Sequence, residues 1–141
     1  MASLKVEVVT PEAALWTGEA TGLMARSSEG EFTILPQHAP TVGDIVPGLV
    51  RVATSAGEVA FCVHGGYFQV GPGDEPDVTR ATVLAGTAER VSDIDVARAQ
   101  AAKESAEAQL VPSADLDAAT RAQIEASLAR AELRLTVAVT R

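Results

Sequence analysis

The chain has 141 residues, 47% of them hydrophobic, a formal charge of −8 and a pI near 4.7. That length allows one ordinary domain, or one small domain with an appendage, and the apolar share suffices for a core. The acidic balance argues against nucleic-acid binding through a basic face, and a single cysteine, Cys62, excludes an internal disulfide and suits a reducing compartment.

Residues Met1 to Val9 lack the basic start and unbroken apolar core of a signal peptide. No apolar run approaches the roughly 20 residues that a membrane helix needs. Any work at a membrane is therefore expected to go through another protein.

Leu4 to Thr10 alternates apolar and charged residues, the period of a half-buried strand, and Pro11-Glu12 ends it. Ala14 to Gly18 reads as a short strand or turn around Trp16, and Glu19 to Arg26 as a strand weakened by Gly22. Phe32 to Leu35 is an apolar β run between a turn at Gly30 and a loop bracketed by Pro36 and Pro40. Two prolines around Gln37-His38-Ala39 predict a stiff exposed loop, which has little ordering entropy to lose on binding. Thr41 to Gly48 reads as a short strand with turns. Leu49 to Thr54 and Glu58 to His64 form a hairpin pattern, and Gly65-Gly66 breaks it. Tyr67 to Val70 is a strand, Gly71 to Asp77 a loop by composition, and Val78 to Leu84 a strand; Ala85 to Arg90 leads out. Many short strands with Gly/Pro turns predict an all-β sandwich or barrel.

The composition changes at Val91: glycine disappears and alanine dominates. Ser92 can cap a helix with Asp95 answering it, and that helix should run from about Asp93 to about Leu110. Val111-Pro112-Ser113 interrupts. Ser113 or Asp115 can cap a second helix from roughly Leu116 to Leu135, with Leu116, Ile124, Leu128, Ala131 and Leu135 near one face. A short break makes an antiparallel hairpin the default. The early acids Asp93, Asp95, Asp115 and Asp117, and the later Arg130, Arg134 and Arg141, complement the helix dipoles. The first helix offers mainly Ile94, Val96, Leu110 and alanines, so the helices should form easily while their mutual packing stays weak. Such a pair could be opened by a competing surface worth a few kcal/mol; sequence alone favours a simple hairpin docked on the sandwich. The chain thus reads as mainly β plus α, with a β-sandwich domain over 1–90 and a helical hairpin domain over 91–141.

Gly30-Glu31-Phe32-Thr33-Ile34-Leu35-Pro36-Gln37-His38-Ala39-Pro40 resembles a signature of the epsilon subunits of rotary proton-driven ATP synthases, with Thr33 and Gln37 standing where that family has glycine. A positive φ at either place would be strained. Pro47 to Val52, Gly65 to Val70, Leu84 to Arg90 and Arg134-Leu135 continue the resemblance in collinear order, and the stretch from Gly71 to Thr79 is longer than the family's turn. The resemblance implies a flattened β-sandwich followed by a two-helix hairpin. It implies a non-catalytic rotor subunit at the cytoplasmic face of the cell membrane. The sandwich would join the γ subunit to the c ring, and movable helices would inhibit ATP hydrolysis by reaching the catalytic α and β subunits.

Three sets of site residues follow. Ile94-Asp95-Val96-Ala97-Arg98-Ala99 resembles a motif that helps bind ATP in some bacterial epsilon subunits, with Glu89, Arg130 and Arg134 completing the set; the plainer reading of Asp95 and Arg98 is a local helix-start pair. ATP would be a regulatory ligand, with no cofactor required. Arg121, Arg130 and Arg134 are candidates for an acidic surface of the β subunit, or a solvated helix face with pairs such as Glu125 and Arg121. Glu29, Glu31 and His38 are candidates for the c-ring contact, although a histidine near prolines often serves only local hydrogen bonding. His64 reads as structural, Cys62 as a buried small apolar residue assigned to the other side of the strand, and Trp16 and Tyr67 as packing or subunit-contact residues. There is no phosphate-binding glycine loop, so hydrolysis by the chain itself is not expected. A free-standing soluble ATP-binding regulator is the alternative, and an enzyme using His64 or Glu89 a more distant one.

Overall fold

A computed structural model describes residues 2–112 and 115–139. The chain divides into two units, Met1–Arg90 and Val91–Arg141.

The first unit is a sandwich of two five-stranded sheets among the described residues. One sheet has the order β2-β1-β9-β8-β5, built from β1 (Ser3–Val9), β2 (Ala14–Ala20), β5 (Thr41–Ile45), β8 (Gly66–Pro72) and β9 (Val78–Ala85). The other has the order β10-β7-β6-β3-β4, built from β3 (Gly22–Ser27), β4 (Gly30–Ile34), β6 (Gly48–Thr54), β7 (Gly57–Val63) and β10 (Ala88–Arg90). The pair β1–β9 is parallel. The predicted hairpin of β6 and β7 is present, with Val50 opposite Phe61 and Thr54 opposite Gly57.

Alternation does the sorting between core and solvent. Leu4, Val6 and Val8 of β1 are fully buried, while the residues between them are half-buried. They meet Leu23, Ile34, Val50, Val52, Phe61, Val63, Ala81 and Val83 in one core. At about 1.5–3 kcal/mol per large aliphatic side chain removed from water, that core is the main stabiliser of the sandwich.

Two strand expectations shift. Glu19 to Arg26 is not one strand: Glu19 and Ala20 end β2 in one sheet, and Gly22 opens β3 in the other. The chain changes sheets at Thr21, whose N–H donates to Ala53 O at 2.7 Å. The expected loop from Gly71 to Asp77 is shorter, because β8 runs on to Pro72, opposite Thr79. Gly73 N donates to Val78 O at 2.7 Å, and Arg80 pairs with Asp74 at 3.1 Å, so the longer segment is an extended hairpin end.

The second unit holds a 3-10 turn (Val91–Asp93) and two packed helices, α1 (Val96–Gln109) and α2 (Ala118–Ala138). The 3-10 turn, which precedes α1, also touches α2, as an antiparallel hairpin requires. The caps differ from the expectation. Asp95, not Ser92, caps α1, accepting from Arg98 N at 3.0 Å. Asp117, not Asp115, caps α2, accepting from Thr120 N at 2.6 Å; Ser113 and Arg141 lie outside the described residues. Several Ser and Asp residues compete at each helix start, and the one whose oxygen meets the N3 amide wins.

The predicted face of α2 is correct. Within it Ala131 is buried and Ile124, Leu128 and Leu135 are half-buried, whereas Leu116 precedes α2 and the buried Val137 and Ala138 lie beyond the expected end of the helix. On α1 the expectation fails at Val96, which is 40% exposed. The inward positions are Ala99, Lys103, Ala106 and Leu110, so alanine carries much of that contact.

Candidate functional site

The stretch from Ser27 to Asp44 borders a surface groove. Gly30, at φ +123°, closes the turn between β3 and β4. Beside it lies a groove of about 400 Å³ bordered by Ser28, Glu29, Phe32, His38, Asp44 and Phe68, among others. Glu29 and His38 thus border one groove, while Glu31 lines a separate depression with Arg26. Glu31 pairs with Arg26 at 2.9 Å, and with both side chains largely exposed the pair adds little stability. His38 is half-buried; its Nδ1 lies 2.8 Å from Ala39 O, so local hydrogen bonding is present there.

Two contacts that sequence reasoning missed hold this end of the sandwich together. Asp44 of β5 accepts from both Ser28 N and Ser28 Oγ at 3.0 Å, tying one sheet to the turn of the other. Phe32 of β4 stacks on Phe68 of β8 with ring centroids 4.4 Å apart. Phe68 in turn dictates Gly43, where a Cβ would stand 2.6 Å from its ring. The Gly43-Asp44 pair was the available signal, a small residue and an acid inside a strand.

The proline-bracketed loop is fixed rather than free. Gln37 sits at φ 71°, the positive value foreseen as strained, and its N–H donates to Thr79 Oγ1 at 2.8 Å. Thr33 lies within β4, opposite Met24, and among the described residues Gln37 is the non-glycine with a positive φ. The difference is positional: Thr33 is laddered and extended, whereas Gln37 turns the chain after Pro36.

In the helical unit the carboxylate of Asp95 is engaged as the α1 cap, and Arg98 presents its own N–H to it. Arg98 is exposed and Ala99 is buried. Arg130 and Arg134 project one helical turn apart on α2 and are half-buried. Arg130 Nη2 donates to Ser127 Oγ at 3.1 Å. Arg121 is half-buried at the start of the same helix. Glu89 belongs to the sandwich, in β10 opposite Cys62.

A second cluster was not expected. Cys62 Sγ lies 3.7 Å from His64 Nε2, and the ligand atoms of Cys62, His64 and Glu89 all fall within 4.8 Å of one another. The assignment of Cys62 and His64 to opposite sides is overturned, because residues two apart on extended backbone share a side. Cys62 is fully buried, as expected of a small apolar residue.

The ATP synthase Delta/Epsilon chain β-sandwich family model matches residues 3–91, and the long alpha-helix domain model of the same chain matches residues 92–138. The chain belongs to the ATP synthase Delta/Epsilon chain family. It is 42% identical over 133 residues to the ATP synthase epsilon chain of Thermobifida fusca, covering 92% of this chain and 93% of that relative. It is 38% identical over 138 residues to the epsilon chain of Dehalococcoides mccartyi, covering 98% and 94%. A chain in the cryo-EM structure of the Euglena gracilis mitochondrial ATP synthase OSCP/F1/c-ring matches in fold, with a TM-score of 0.74 at 23% identity over 100% of this chain and 83% of that one. Family membership accounts for a sandwich followed by two helices. Among the described residues, no helix is long and apolar enough to cross a membrane.

Proposed function

We propose that this chain is the epsilon subunit of a bacterial-type proton-translocating ATP synthase, a non-catalytic part of its central stalk. The observation that carries this reading is the match of both units, along nearly their full length, to bacterial epsilon chains. In that role the sandwich couples the γ subunit to the c ring and holds the chain peripherally at the cytoplasmic face of the membrane. Glu29, Glu31 and His38 meet the ring; the exposure of both glutamates supports this. The helices inhibit ATP hydrolysis by reaching the α and β subunits, with Arg121, Arg130 and Arg134 facing an acidic surface. The alanine-lined contact between α1 and α2 supports a brake that opens at low cost, since each buried methyl-sized group contributes only about 0.8 kcal/mol. ATP is the regulatory ligand, held by Glu89, Asp95, Arg98, Ala99, Arg130 and Arg134. Bound by both helices, it favours their compact pairing through linkage.

Co-expression of the tagged chain with the other synthase subunits tests the assignment. The chain is expected to co-purify with γ and the c ring, and removal of residues 92–141 is expected to leave assembly intact while accelerating ATP hydrolysis. Unaltered hydrolysis would end the brake reading. Failure to co-purify would leave the free-standing ATP-binding regulator in its place. For nucleotide binding, calorimetry of the wild-type chain and of Arg98→Ala is expected to show at least tenfold weaker ATP binding in the variant, the loss of one charge-assisted hydrogen bond. Equal heats would remove Arg98 from the site.

A further inference from the structure

We propose that Cys62, His64 and Glu89 form a binding site for a thiophilic divalent cation of the zinc class. The backbone assembles the three ligands. Cys62 and His64 are two residues apart at the end of β7, so their side chains leave the same side of the sheet. Glu89 lies directly opposite Cys62 in the antiparallel β10–β7 pair, which puts its carboxylate on that side as well. His64 N donates to Thr87 O at 3.0 Å and fixes the end of the ladder.

The spacing suits a tetrahedral ion. With zinc–sulfur near 2.3 Å and zinc–nitrogen near 2.05 Å, the two ligand atoms stand about 3.6 Å apart around a tetrahedral centre. Sγ and Nε2 are already 3.7 Å apart, and all three ligand atoms lie within 4.8 Å of one another. One sulfur, one nitrogen and one carboxylate oxygen form a donor set for zinc or cobalt, whereas magnesium and calcium prefer oxygen alone. Cys62 is fully buried and His64 and Glu89 are half-buried, so the ion enters from their side. Three protein ligands leave a fourth position for water.

Binding is a proton-for-metal exchange. The thiol S–H bond breaks heterolytically, the proton passes to buffer, and the sulfur electron pair goes to the cation; nothing is oxidised. The bound ion would clamp β10, only three residues long, to β7 through side chains as well as the ladder. The three residues belong to the sandwich unit, and the site goes beyond the proposed stalk role.

Glu89 is shared with the proposed ATP set, so the test uses nucleotide-free protein and metal alone. The full chain is titrated with Co²⁺, followed by Zn²⁺ in competition. One equivalent of Co²⁺ is expected, with a thiolate-to-cobalt charge-transfer band and the intense visible bands of a four-coordinate ion, all abolished by Zn²⁺. Cys62→Ala is expected to lose the charge-transfer band. His64→Gln and Glu89→Gln should each weaken binding tenfold or more, and His38→Gln should bind as wild type. Circular dichroism checks that each variant is folded; if Cys62→Ala is not, the two half-buried ligands decide. No charge-transfer band in the wild type, or wild-type affinity in His64→Gln, overturns the proposal. Neither result bears on the stalk assignment, which co-purification tests.

Discussion

Gln37 holds a backbone conformation that side-chain-bearing residues avoid. Its φ of 71° brings Cβ close to the carbonyl, at a cost of about 1–2 kcal/mol. Pro36 ahead of it and the hydrogen bond from its N–H to Thr79 Oγ1 hold it there. Gln37→Gly keeps that bond and removes the steric cost, but gains unfolded-state entropy. Urea unfolding should therefore show a net stabilisation of about 0.5–1 kcal/mol, and a destabilised variant would contradict the strain. Gly43 presents the opposite case. A Cβ there would stand 2.6 Å from the Phe68 ring, which is already stacked on Phe32. Gly43→Ala should cost about 1–3 kcal/mol in the same measurement, since the ring must move within a packed core.

Elements are held in different ways in the two units. The strands are fixed by ladders and by side chains that alternate into one core. The helices rely more on intrinsic propensity and on their caps, because the stripe α1 offers is Ala99, Lys103, Ala106 and Leu110. The α2 cap has a pH signature. The Thr120 backbone N–H, and then its side chain, donate to Asp117 and lower its carboxyl below the ordinary 3.8. A carboxyl depressed in the folded state contributes stability that is fully present above its unfolded value. That contribution is lost as pH falls from about 3.8 through the lowered folded value. Far-ultraviolet circular dichroism should show the helical signal weakening over that acidic interval. In Asp117→Asn, which cannot titrate but can still accept a hydrogen bond, this component should be absent.

At the scale of the whole molecule, the boundary at residue 90 separates two kinds of stability. The sandwich contains its own core, drawn from both sheets and from strands as distant in sequence as β1 and β9. A chain ending at Arg90 is therefore expected to unfold cooperatively, with coincident fluorescence and circular-dichroism transitions reported by Trp16 and by the strands. A broad, non-coincident transition would mean that residues 91–141 are needed to complete the fold. The cap and the alanine contact of the helical unit are smaller contributions, so this unit is expected to open at lower free energy than the sandwich.

By itself, the sequence determined the many-stranded β unit, the two-helix tail, the β6–β7 hairpin and most of the inward face of α2. Each follows from a local period: two residues per repeat on a strand, or 3.6 on a helix, with glycine and proline as punctuation. The family-like order of motifs was equally legible, because it is carried by residue types in sequence. Tertiary structure alone decided what non-local pairing controls. The switch between sheets at Thr21 depends on which strands become neighbours. So do the Asp44–Ser28 tie, from one sheet to the turn of the other, and the Phe32–Phe68 stack between the two sheets. The choice of Asp95 and Asp117 over nearby candidate caps rests on where one side-chain oxygen meets one amide. The meeting of Cys62, His64 and Glu89 needed both kinds of information: the two-residue spacing was written in the chain, and the register that sets Glu89 opposite Cys62 appears only when β10 pairs with β7.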